Sequence, residues 1–428
     1  MTRKKQAMSR AEQYVQEGQA HHRAGRLRDA ATAYQRALSD QKDYGPALHY
    51  LGLTLVQQGM VDLGRGMMEK ALHTGGDGPA LRNDLGLLDE RAGRWQAAAV
   101  HYRHACEAQP AELACWQSLV RVLQRAGAQD EARQTLLTLI AQHPDHIPAL
   151  EALARDAYDR GDRRAVGYAQ RARALDPTVA QRMVIGFVDP ATHPGVDAGM
   201  PAVQLATGAD SKLVDEIIAG SGLRIFDDFL DDPDAVRAWA AGLDYTRGGG
   251  NYPGAQTGPL ACEDMMQRLA DRLGRAIKWI SPDNGVVRIT LASDEARTDI
   301  HVDDEQAVDN AHFAAVLYLT RPAHCAGGTS FWRHATTGWV KRPADDEIRA
   351  AGFADFKTFL RRETPQAAPQ AFEALTRQRS NWTPLFTLPM RYNRLVLYRG
   401  NYFHAVDSLF GQGFDDGRLV RLFTFEFC

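Results

Sequence analysis

Residues 86–110 read GLLDERAGRWQAAAVHYRHACEAQP, and the same pattern of small and aromatic residues recurs along the first part of the chain. Glycine stands at positions 25, 59, 93, 127 and 161, so each step is 34 residues. A fixed period of this length, with small residues where helices cross and a late proline, predicts a stack of antiparallel helix pairs. The glycine turns the chain between two helices, and the proline ends the second one.

About five copies of the repeat begin near residues 11, 45, 79, 113 and 147. The second copy has Gly64 and Met68 where alanine and an aromatic residue are expected, and the fifth is shifted by one residue. The period and the pattern resemble the tetratricopeptide repeat. This resemblance implies an all-α superhelical array over residues 11–177, after a basic tail at residues 1–10. Its concave face would suit a protein or peptide partner.

The composition excludes several classes of function. The 428 residues carry 53 acidic and 50 basic side chains, a net charge of −3, which argues against nucleic acid or a membrane surface as partner. No apolar run approaches the roughly 18 residues of a membrane span, and none follows the basic amino terminus as in a secretory signal. Five scattered cysteines favour the cytoplasm over a disulfide framework. Glycine-rich nucleotide loops and a serine-hydrolase elbow are also missing from the sequence.

A second domain is predicted after residue 177. Residues 178–222 are richer in glycine, proline and threonine and are interpreted as a linker and the start of that domain. From residue 223 to 428, short β-type runs alternate with turns and with helical segments, which predicts a β-sandwich or barrel with packed helices. Residues 342–380 form a helical insertion between two core strands, with either a lid or a packing role.

The candidate chemistry centres on Asp299-Ile-His301-Val-Asp303-Asp304. On a strand, residues two apart project from one face, so His301 and Asp303 can converge on one metal ion. A second histidine, His404, follows the apolar strand at 394–398. Two imidazoles and one carboxylate form the facial triad of non-haem Fe(II) oxygenases. The motif alone is weak, because His143-Pro-Asp145 has the same spacing in a repeat loop, and a merely hydrogen-bonded His301 stays possible.

The order of segments strengthens the interpretation. After Asp303 come an apolar strand at 314–319, Gly327-Gly-Thr-Ser-Phe331, a strand at 393–397, then His404 and Gly417-Arg418-Leu-Val-Arg421. This order resembles the prolyl-4-hydroxylase-like branch of the iron- and 2-oxoglutarate-dependent dioxygenases. The segments at 225–233 (IFDDFLDDP) and 252–254 (YPG) are similar to an uncharacterised bacterial subgroup of that branch. The resemblance covers about residues 222–428.

The resemblance implies a double-stranded β-helix, or jelly roll, over residues 223–428. His301, Asp303 and His404 would be the ligands of Fe(II), with 2-oxoglutarate and O2 as co-substrates. Arg418 would clamp the distal carboxylate of 2-oxoglutarate through its planar fork. Arg421 is the alternative, because the segment at 407–417 is longer than expected and the two arginines fall on opposite faces of a strand. Asp304 could replace Asp303 only on a bulged strand.

We therefore expect a dioxygenase that hydroxylates a protein or peptide recruited by the repeats. Two alternatives remain at this point. One is a binding or scaffold protein whose jelly roll is inactive, and the other is an oxygenase that acts on a small metabolite. A complete set of three metal ligands with a basic residue favours activity, since a degenerate site usually loses one ligand.

Overall fold

The structure is a computed structural model that describes residues 8–76, 78–191, 202–247, 252–280, 284–303, 305 and 312–428. Contacts divide the chain into two compact units, Met1–Asp156 and Ala157–Cys428. Residues 1–7 of the predicted tail and 192–201 of the predicted linker lie outside the described residues, as does Asp304. In the described part of the chain, every helix is too short or too polar to span a bilayer.

The described residues of the first unit form helices joined by short turns. The helices are α1 (Arg10–Arg23), α2 (Leu27–Asp40), α3 (Gly45–Gln57), α4 (Val61–His73), α5 (Pro79–Arg91), α6 (Trp95–Ala108), α7 (Leu113–Arg125), α8 (Gln129–Gln142) and α9 (Ile147–Asp159), which crosses the boundary between the units. Helices α3, α5, α7 and α9 begin at residues 45, 79, 113 and 147, in the period of the sequence repeat. The all-helical array predicted for this part of the chain is confirmed.

The five glycines of the 34-residue register lie between the two helices of each pair. Their φ angles are all positive, between 70° and 88°. A side chain at such a φ clashes with its own backbone, so glycine is the residue that turns the chain here without strain. The recurring glycine is therefore explained by backbone geometry.

The departure of the second repeat from the pattern has a packing cause. In the first and third repeats, Gly18 and Gly86 lie against the rings of Tyr34 and Tyr102. In the second repeat, a Cβ on Gly64 would lie 2.5 Å from the carbonyl oxygen of Gly52. Helices α3 and α4 thus approach backbone to backbone, which leaves no room for the alanine and the aromatic ring of the other copies.

Two substitutions in α4 test this packing. Gly64→Ala should lower the free energy of unfolding by about 1–3 kcal/mol, because the new methyl group meets backbone atoms that cannot move independently. Gly66→Ala is the matched control in the same helix, since a Cβ there has no neighbour within 4 Å. It should stabilise the protein by up to about 1 kcal/mol through helix propensity. Urea unfolding measures both; equal effects would contradict the packing argument.

The second unit contains the β-structure. Its strands are β1 (Ile185–Val188), β2 (Gln204–Leu205), β3 (Arg224–Phe226), β4 (Thr246–Arg247), β5 (Ala255–Gln256), β6 (Ile277–Ile280), β7 (Val287–Thr290), β8 (Glu295–Thr298), β9 (His312–Tyr318), β10 (Gly328–His334), β11 (Gln366–Ala371), β12 (Trp382–Pro389), β13 (Leu395–Arg399), β14 (His404–Val406) and β15 (Arg418–Phe427). Its helices are α10 (Arg164–Leu175), α11 (Ser211–Ser221), α12 (Pro233–Ala241), α13 (Glu263–Leu273), α14 (Asp345–Ala350), α15 (Phe356–Glu363) and α16 (Phe372–Thr376), with 3-10 turns at Pro177–Gln181, Pro322–His324 and Arg379–Asn381.

The described strands pair in antiparallel fashion in three sheets. The large sheet has the order β3-β13-β9-β15-β7-β5-β4. Strand β6 pairs with the carboxyl end of β15, and β1 pairs with β6. The second sheet has the order β14-β10-β12-β2, and β11 pairs with β8. The predicted β-rich second part of the chain is confirmed at this level, as a set of antiparallel sheets with packed helices.

Both faces of the large sheet are buried, and residue parity separates them. Odd-numbered residues of β9, β13 and β15, such as Leu317 and Phe423, pack against α12 and α13 in one core. Even-numbered residues of the same strands, such as Val316 and Val420, pack against Phe331 of β10 and its neighbours in a second core. The face formed by the even-numbered residues of these strands therefore packs toward the second sheet.

Helix α10 belongs to the second compact unit. It packs against β1, which pairs with β6. Lys278 of β6 donates a hydrogen bond to the carbonyl oxygen of Tyr158, 2.9 Å away, and its ammonium lies over the Tyr158 ring. The division between the units thus falls before residue 157, upstream of the predicted end of the array at residue 177.

The insertion at residues 342–380 contains α14, α15 and α16 and also β11, which the sequence did not predict. Phe356 and Phe359 of α15 lie in an aromatic cluster with Trp382 of β12 and with Phe403, which directly precedes β14. Ile300 is buried in the same cluster. These contacts tie the helices of the insertion to the segment that carries the candidate metal ligands and favour a packing role for them.

Candidate metal centre

The segment 299–303 alternates between two environments. Ile300 and Val302 are buried in the aromatic cluster beneath the insertion. His301 and Asp303 therefore project from the opposite side, as the spacing of the motif predicts for an extended chain. The main chain of His301 forms an antiparallel bridge with His404, through N–H···O bonds of 2.9 and 3.0 Å. This bridge brings together two histidines that are far apart in the sequence.

The structure places His301, Asp303 and His404 in one cluster. The Nε2 atom of His301 lies 3.7 Å from Oδ1 of Asp303, and Nε2 of His404 lies 3.4 Å from Oδ2 of the same carboxylate. One potential ligand atom from each residue lies within 4.8 Å of the others, so that among the described residues this group is the candidate for holding a metal ion. Two imidazole nitrogens and one carboxylate would occupy three positions of a metal ion, and the remaining positions would be available to further ligands.

Both imidazoles are oriented by their own backbone. Nδ1 of His301 lies 2.8 Å from the carbonyl oxygen of Asp299, and Nδ1 of His404 lies 2.9 Å from that of Tyr402. Since a carbonyl can only accept, each Nδ1 carries a proton, and Nε2 is the ring nitrogen that faces Asp303. Burial, reinforced by the neighbouring His404, lowers the pKa of His301 to about 4. His301 is therefore neutral at physiological pH, the form that binds metals.

Arg418 lies at the start of β15, on the even-numbered face of the large sheet. It is buried, and its Nε has no hydrogen-bond partner in the described structure. Burial lowers the pKa of its guanidinium, and Tyr318 and Tyr398 are the polar groups that oppose this shift. A buried guanidinium with this environment can be satisfied by an anionic ligand.

Arg421, the alternative to Arg418, lies on the opposite face of the same strand. Its Nε donates to the carbonyl oxygen of Gly285 at 3.2 Å, and its Nη2 donates to that of Ala261 at 2.6 Å. The guanidinium also lies 5.0 Å from the centroid of the Trp239 ring. These contacts hold connecting segments and a helix against the sheet, on the side away from the second sheet.

Aromatic side chains connect Arg418 to the histidines along the even-numbered face. The guanidinium lies 5.9 Å from the ring centroid of Tyr318, whose hydroxyl is 2.8 Å from Oγ1 of Thr329. The ring of Tyr398 packs edge-on against His404, with centroids 4.9 Å apart. Burial raises the pKa of both tyrosines. The tyrosines therefore stay protonated, and they lie on the face of the sheet that also carries Arg418.

Two further residues lie beside His301. The Tyr252 ring centroid is 5.0 Å from that of His301, and the guanidinium of Arg288 lies 5.0 Å from the Tyr252 ring. Arg288 lies on β7 directly opposite Val420, on the face that carries Arg418, and donates two hydrogen bonds to Oε1 of Gln256. Tyr252 lies in the YPG motif noted in the sequence, whereas Arg288 was not predicted. The sequence carries no local signal for Arg288, because its place opposite Val420 depends on the register between two distant strands.

The other nearby histidines lie outside the cluster. His334 is buried and contacts Thr337 and Glu363. His312 lies 3.9 Å from Glu426, and His324 belongs to a 3-10 turn. The competing motif at His143 lies between α8 and α9, where the ring of His143 contacts the carbonyl oxygen of Pro110. Asp304 lies outside the described residues, so the alternative ligand stays a prediction.

Two family models match parts of the chain. A tetratricopeptide-repeat model matches residues 91–156, which confirms the predicted repeats in the helical unit. A model described as a family of unknown function (DUF6445) matches residues 213–419, a range that contains the three candidate ligands and Arg418. A search of curated proteins gave no significant match.

Several solved structures resemble the helical part of the chain. YrrB, described as a TPR protein with an unusual peptide-binding site, is 21% identical with a TM-score of 0.34, and the match covers 39% of this chain and 87% of that one. MamA protein is 20% identical with a TM-score of 0.34, covering 40% and 94%. MamA 41-end from Desulfovibrio magneticus RS-1 is 16% identical with a TM-score of 0.33, covering 40% and 98%. Scores this low support no comparison of binding sites.

Proposed function

We propose that the second unit is an Fe(II)- and 2-oxoglutarate-dependent dioxygenase with His301, Asp303 and His404 as the metal ligands. The observation that carries the proposal is the convergence of two imidazoles, of which that of His301 is neutral, on one carboxylate. This donor set suits ferrous iron, and one open side leaves positions for O2 and a bidentate co-substrate. A cysteine-rich or all-oxygen site would have suited other metals.

The proposed co-substrate site is the space in front of Arg418. A buried guanidinium whose Nε has no hydrogen-bond partner among the described residues supports an anionic ligand, and its planar fork matches a carboxylate. We assign the distal carboxylate of 2-oxoglutarate to Arg418 rather than to Arg421. The donors of Arg421 are directed to the carbonyl oxygens of Gly285 and Ala261, which supports a structural role for that residue.

The finer fold that we propose for this unit is a double-stranded β-helix. Two antiparallel sheets face each other across the core that contains Tyr318, Phe331 and Tyr398, which supports this assignment. In this arrangement the histidines lie at the edge of the smaller sheet, next to β14 and β10, while Arg418 projects from the larger sheet.

The residues of the chain would have separate tasks in the reaction. Bound iron would supply the activation of O2 that oxidation of a C–H bond requires. The imidazoles and Asp303 hold the metal, while Arg418 orients the co-substrate toward it. Tyr318, Tyr398 and Phe331 exclude water from the space between these groups, which strengthens each electrostatic contact.

We further propose that the substrate is a protein or peptide recruited by the helical unit. Stacked helix pairs present an extended surface, and tetratricopeptide repeats commonly bind protein or peptide partners. A remote contact of this kind raises the local concentration of substrate at the metal centre. Since all five cysteines are free thiols, with Cys106, Cys115 and Cys262 buried, we place this activity in the reducing cytoplasm.

The experiment that tests the enzymatic proposal is turnover of 2-oxoglutarate by the purified full-length protein. Succinate and carbon dioxide should form only when Fe(II), O2 and 2-oxoglutarate are all present. An unchanged 2-oxoglutarate signal with iron-loaded protein would favour the scaffold interpretation, in which the repeats alone provide the function.

The experiment that tests the class of substrate is a pull-down with full-length His404→Ala protein. A captured protein should gain the mass of one oxygen atom when it is incubated with the unmutated enzyme. If small metabolites are oxidised while captured proteins are unchanged, the small-metabolite interpretation replaces the protein-substrate proposal.

A further inference from the structure

A buried ion pair joins the insertion to the metal-binding segment. Nε and Nη2 of Arg379 lie 2.5 and 2.6 Å from Oδ2 and Oδ1 of Asp299, a two-pronged contact between guanidinium and carboxylate. The side chain of Asp299 is completely inaccessible to solvent, and that of Arg379 is 14% exposed. Charged pairs buried to this extent are poorly screened, and each partner needs the other.

The same two residues reach both candidate histidine ligands. The carbonyl oxygen of Asp299 accepts the hydrogen bond that fixes the ring of His301. Nη2 of Arg379 also lies 3.3 Å from the carbonyl oxygen of Val406, two residues beyond His404 on β14. One guanidinium therefore connects the chain segments of His301 and His404.

The surroundings of Arg379 require a guanidinium rather than any positive charge. The residue begins the 3-10 turn Arg379–Asn381 at the end of the insertion. Its guanidinium lies 4.6 Å from the centroid of the Trp332 ring while its donors face Asp299 and Val406. A planar fork can stack on the ring and donate in its own plane, whereas an ammonium cannot do both.

We propose that Arg379 is a positioning residue for the metal centre, because it holds Asp299 and the strand of His404 in place. This inference rests on the proposed function, because it takes the histidine cluster as a metal site. Partners behind a histidine ligand fix its ring, and losing one typically weakens metal binding by about 10- to 100-fold. Through the 3-10 turn that begins at Arg379, the insertion would thus take part in the metal site.

The test is binding of cobalt(II), as the chloride salt under anaerobic conditions, to the full-length protein. Calorimetry gives the dissociation constant, and the visible absorption of bound cobalt reports its coordination geometry. Arg379→Gln should raise the dissociation constant by about 10-fold or more and alter the cobalt spectrum. Arg379→Lys should restore only part of the affinity, because it keeps the charge without the fork.

The matched control is Arg394→Gln. Arg394 forms a similar two-pronged pair with Asp227, at 2.6 and 2.9 Å, and its remaining donor contacts the carbonyl oxygen of Pro389. This variant loses an ion pair of the same two-pronged geometry without touching the segments of His301 or His404, although Asp227 is 34% exposed and keeps Arg391 as a second partner. It should lower the melting temperature while the cobalt dissociation constant stays within about 2-fold of the unmutated value.

A second variant separates positioning from simple stability. Arg379→Gln leaves the carboxylate of Asp299 buried without its partner, which can prevent folding. The double variant Arg379→Gln with Asp299→Asn removes both charges, and it should regain stability but keep the weakened cobalt binding. Unmutated affinity and spectrum in this folded variant would overturn the positioning role and leave an ordinary structural pair. Failure of the unmutated protein itself to bind cobalt would overturn the proposed metal site together with this inference.

Discussion

His301→Ala and His404→Ala should each abolish 2-oxoglutarate turnover and weaken Fe(II) binding by more than 100-fold, beyond the loss caused by outer-sphere changes. Each substitution removes one of the Nε2 atoms that face Asp303. The fold should persist, because the bridge between residues 301 and 404 is formed by main-chain atoms that alanine retains. Iron binding is measured by anaerobic titration, and folding is followed by circular dichroism.

The chain offers a control for this experiment in its second His-x-Asp motif. His143→Ala changes a residue in the loop between α8 and α9, whose ring lies 3.3 Å from the carbonyl oxygen of Pro110. Iron binding and turnover should be unchanged in this variant. If His301→Ala or His404→Ala keeps normal turnover, the assignment of the metal centre is wrong.

The array could be predicted from sequence because its geometry repeats. A turn that needs positive φ selects glycine every 34 residues, and a close helix crossing selects another small residue in each copy. The close backbone contact between Gly52 and Gly64 in the second copy could not be predicted, since it depends on how closely two particular helices approach. Periodicity thus identifies the architecture, while individual contacts need coordinates.

In the second unit, the strands that could be predicted from the sequence are those formed by continuous apolar runs. The apolar runs at 313–320 and 419–427 correspond to β9 and β15 in the centre of the large sheet. Strand β12 (Trp382–Pro389) was missed because it contains Pro384 and ends in proline, which argue against a strand. The ion pair of Asp299 and Arg379 was also missed, since no local pattern relates two residues 80 positions apart.

Residue parity alone could not decide between Arg418 and Arg421. The sequence indicates that the two arginines lie on opposite faces of one strand, but both faces of this sheet are buried. The apolar neighbours of Arg421, Leu419 and Phe423, pack against helices and not against the second sheet. When both faces of a strand are apolar, the alternation of its residues distinguishes the two faces but does not indicate which of them faces the site.

Arg418→Gln should therefore raise the KM for 2-oxoglutarate by about 10- to 100-fold, which corresponds to losing roughly 1.5–3 kcal/mol from a charge-assisted pair. Iron binding should be nearly unchanged, since the guanidinium contacts Tyr318 and not the ligands. Succinate formation at varied 2-oxoglutarate gives KM, and titration of the manganese-loaded protein gives the dissociation constant directly.

Arg421→Gln is the matched comparison on the same strand, and its expected effect is on stability. The substitution breaks hydrogen bonds to the carbonyl oxygens of Gly285 and Ala261, so the melting temperature should fall while the KM for 2-oxoglutarate stays near the unmutated value. Arg418→Lys adds a finer distinction, because a point charge attracts a carboxylate but cannot donate two parallel hydrogen bonds to it. It should bind 2-oxoglutarate with an affinity between those of the unmutated protein and Arg418→Gln. A raised KM in Arg421→Gln with a normal one in Arg418→Gln would place the co-substrate on the helix-covered face and refute the assignment.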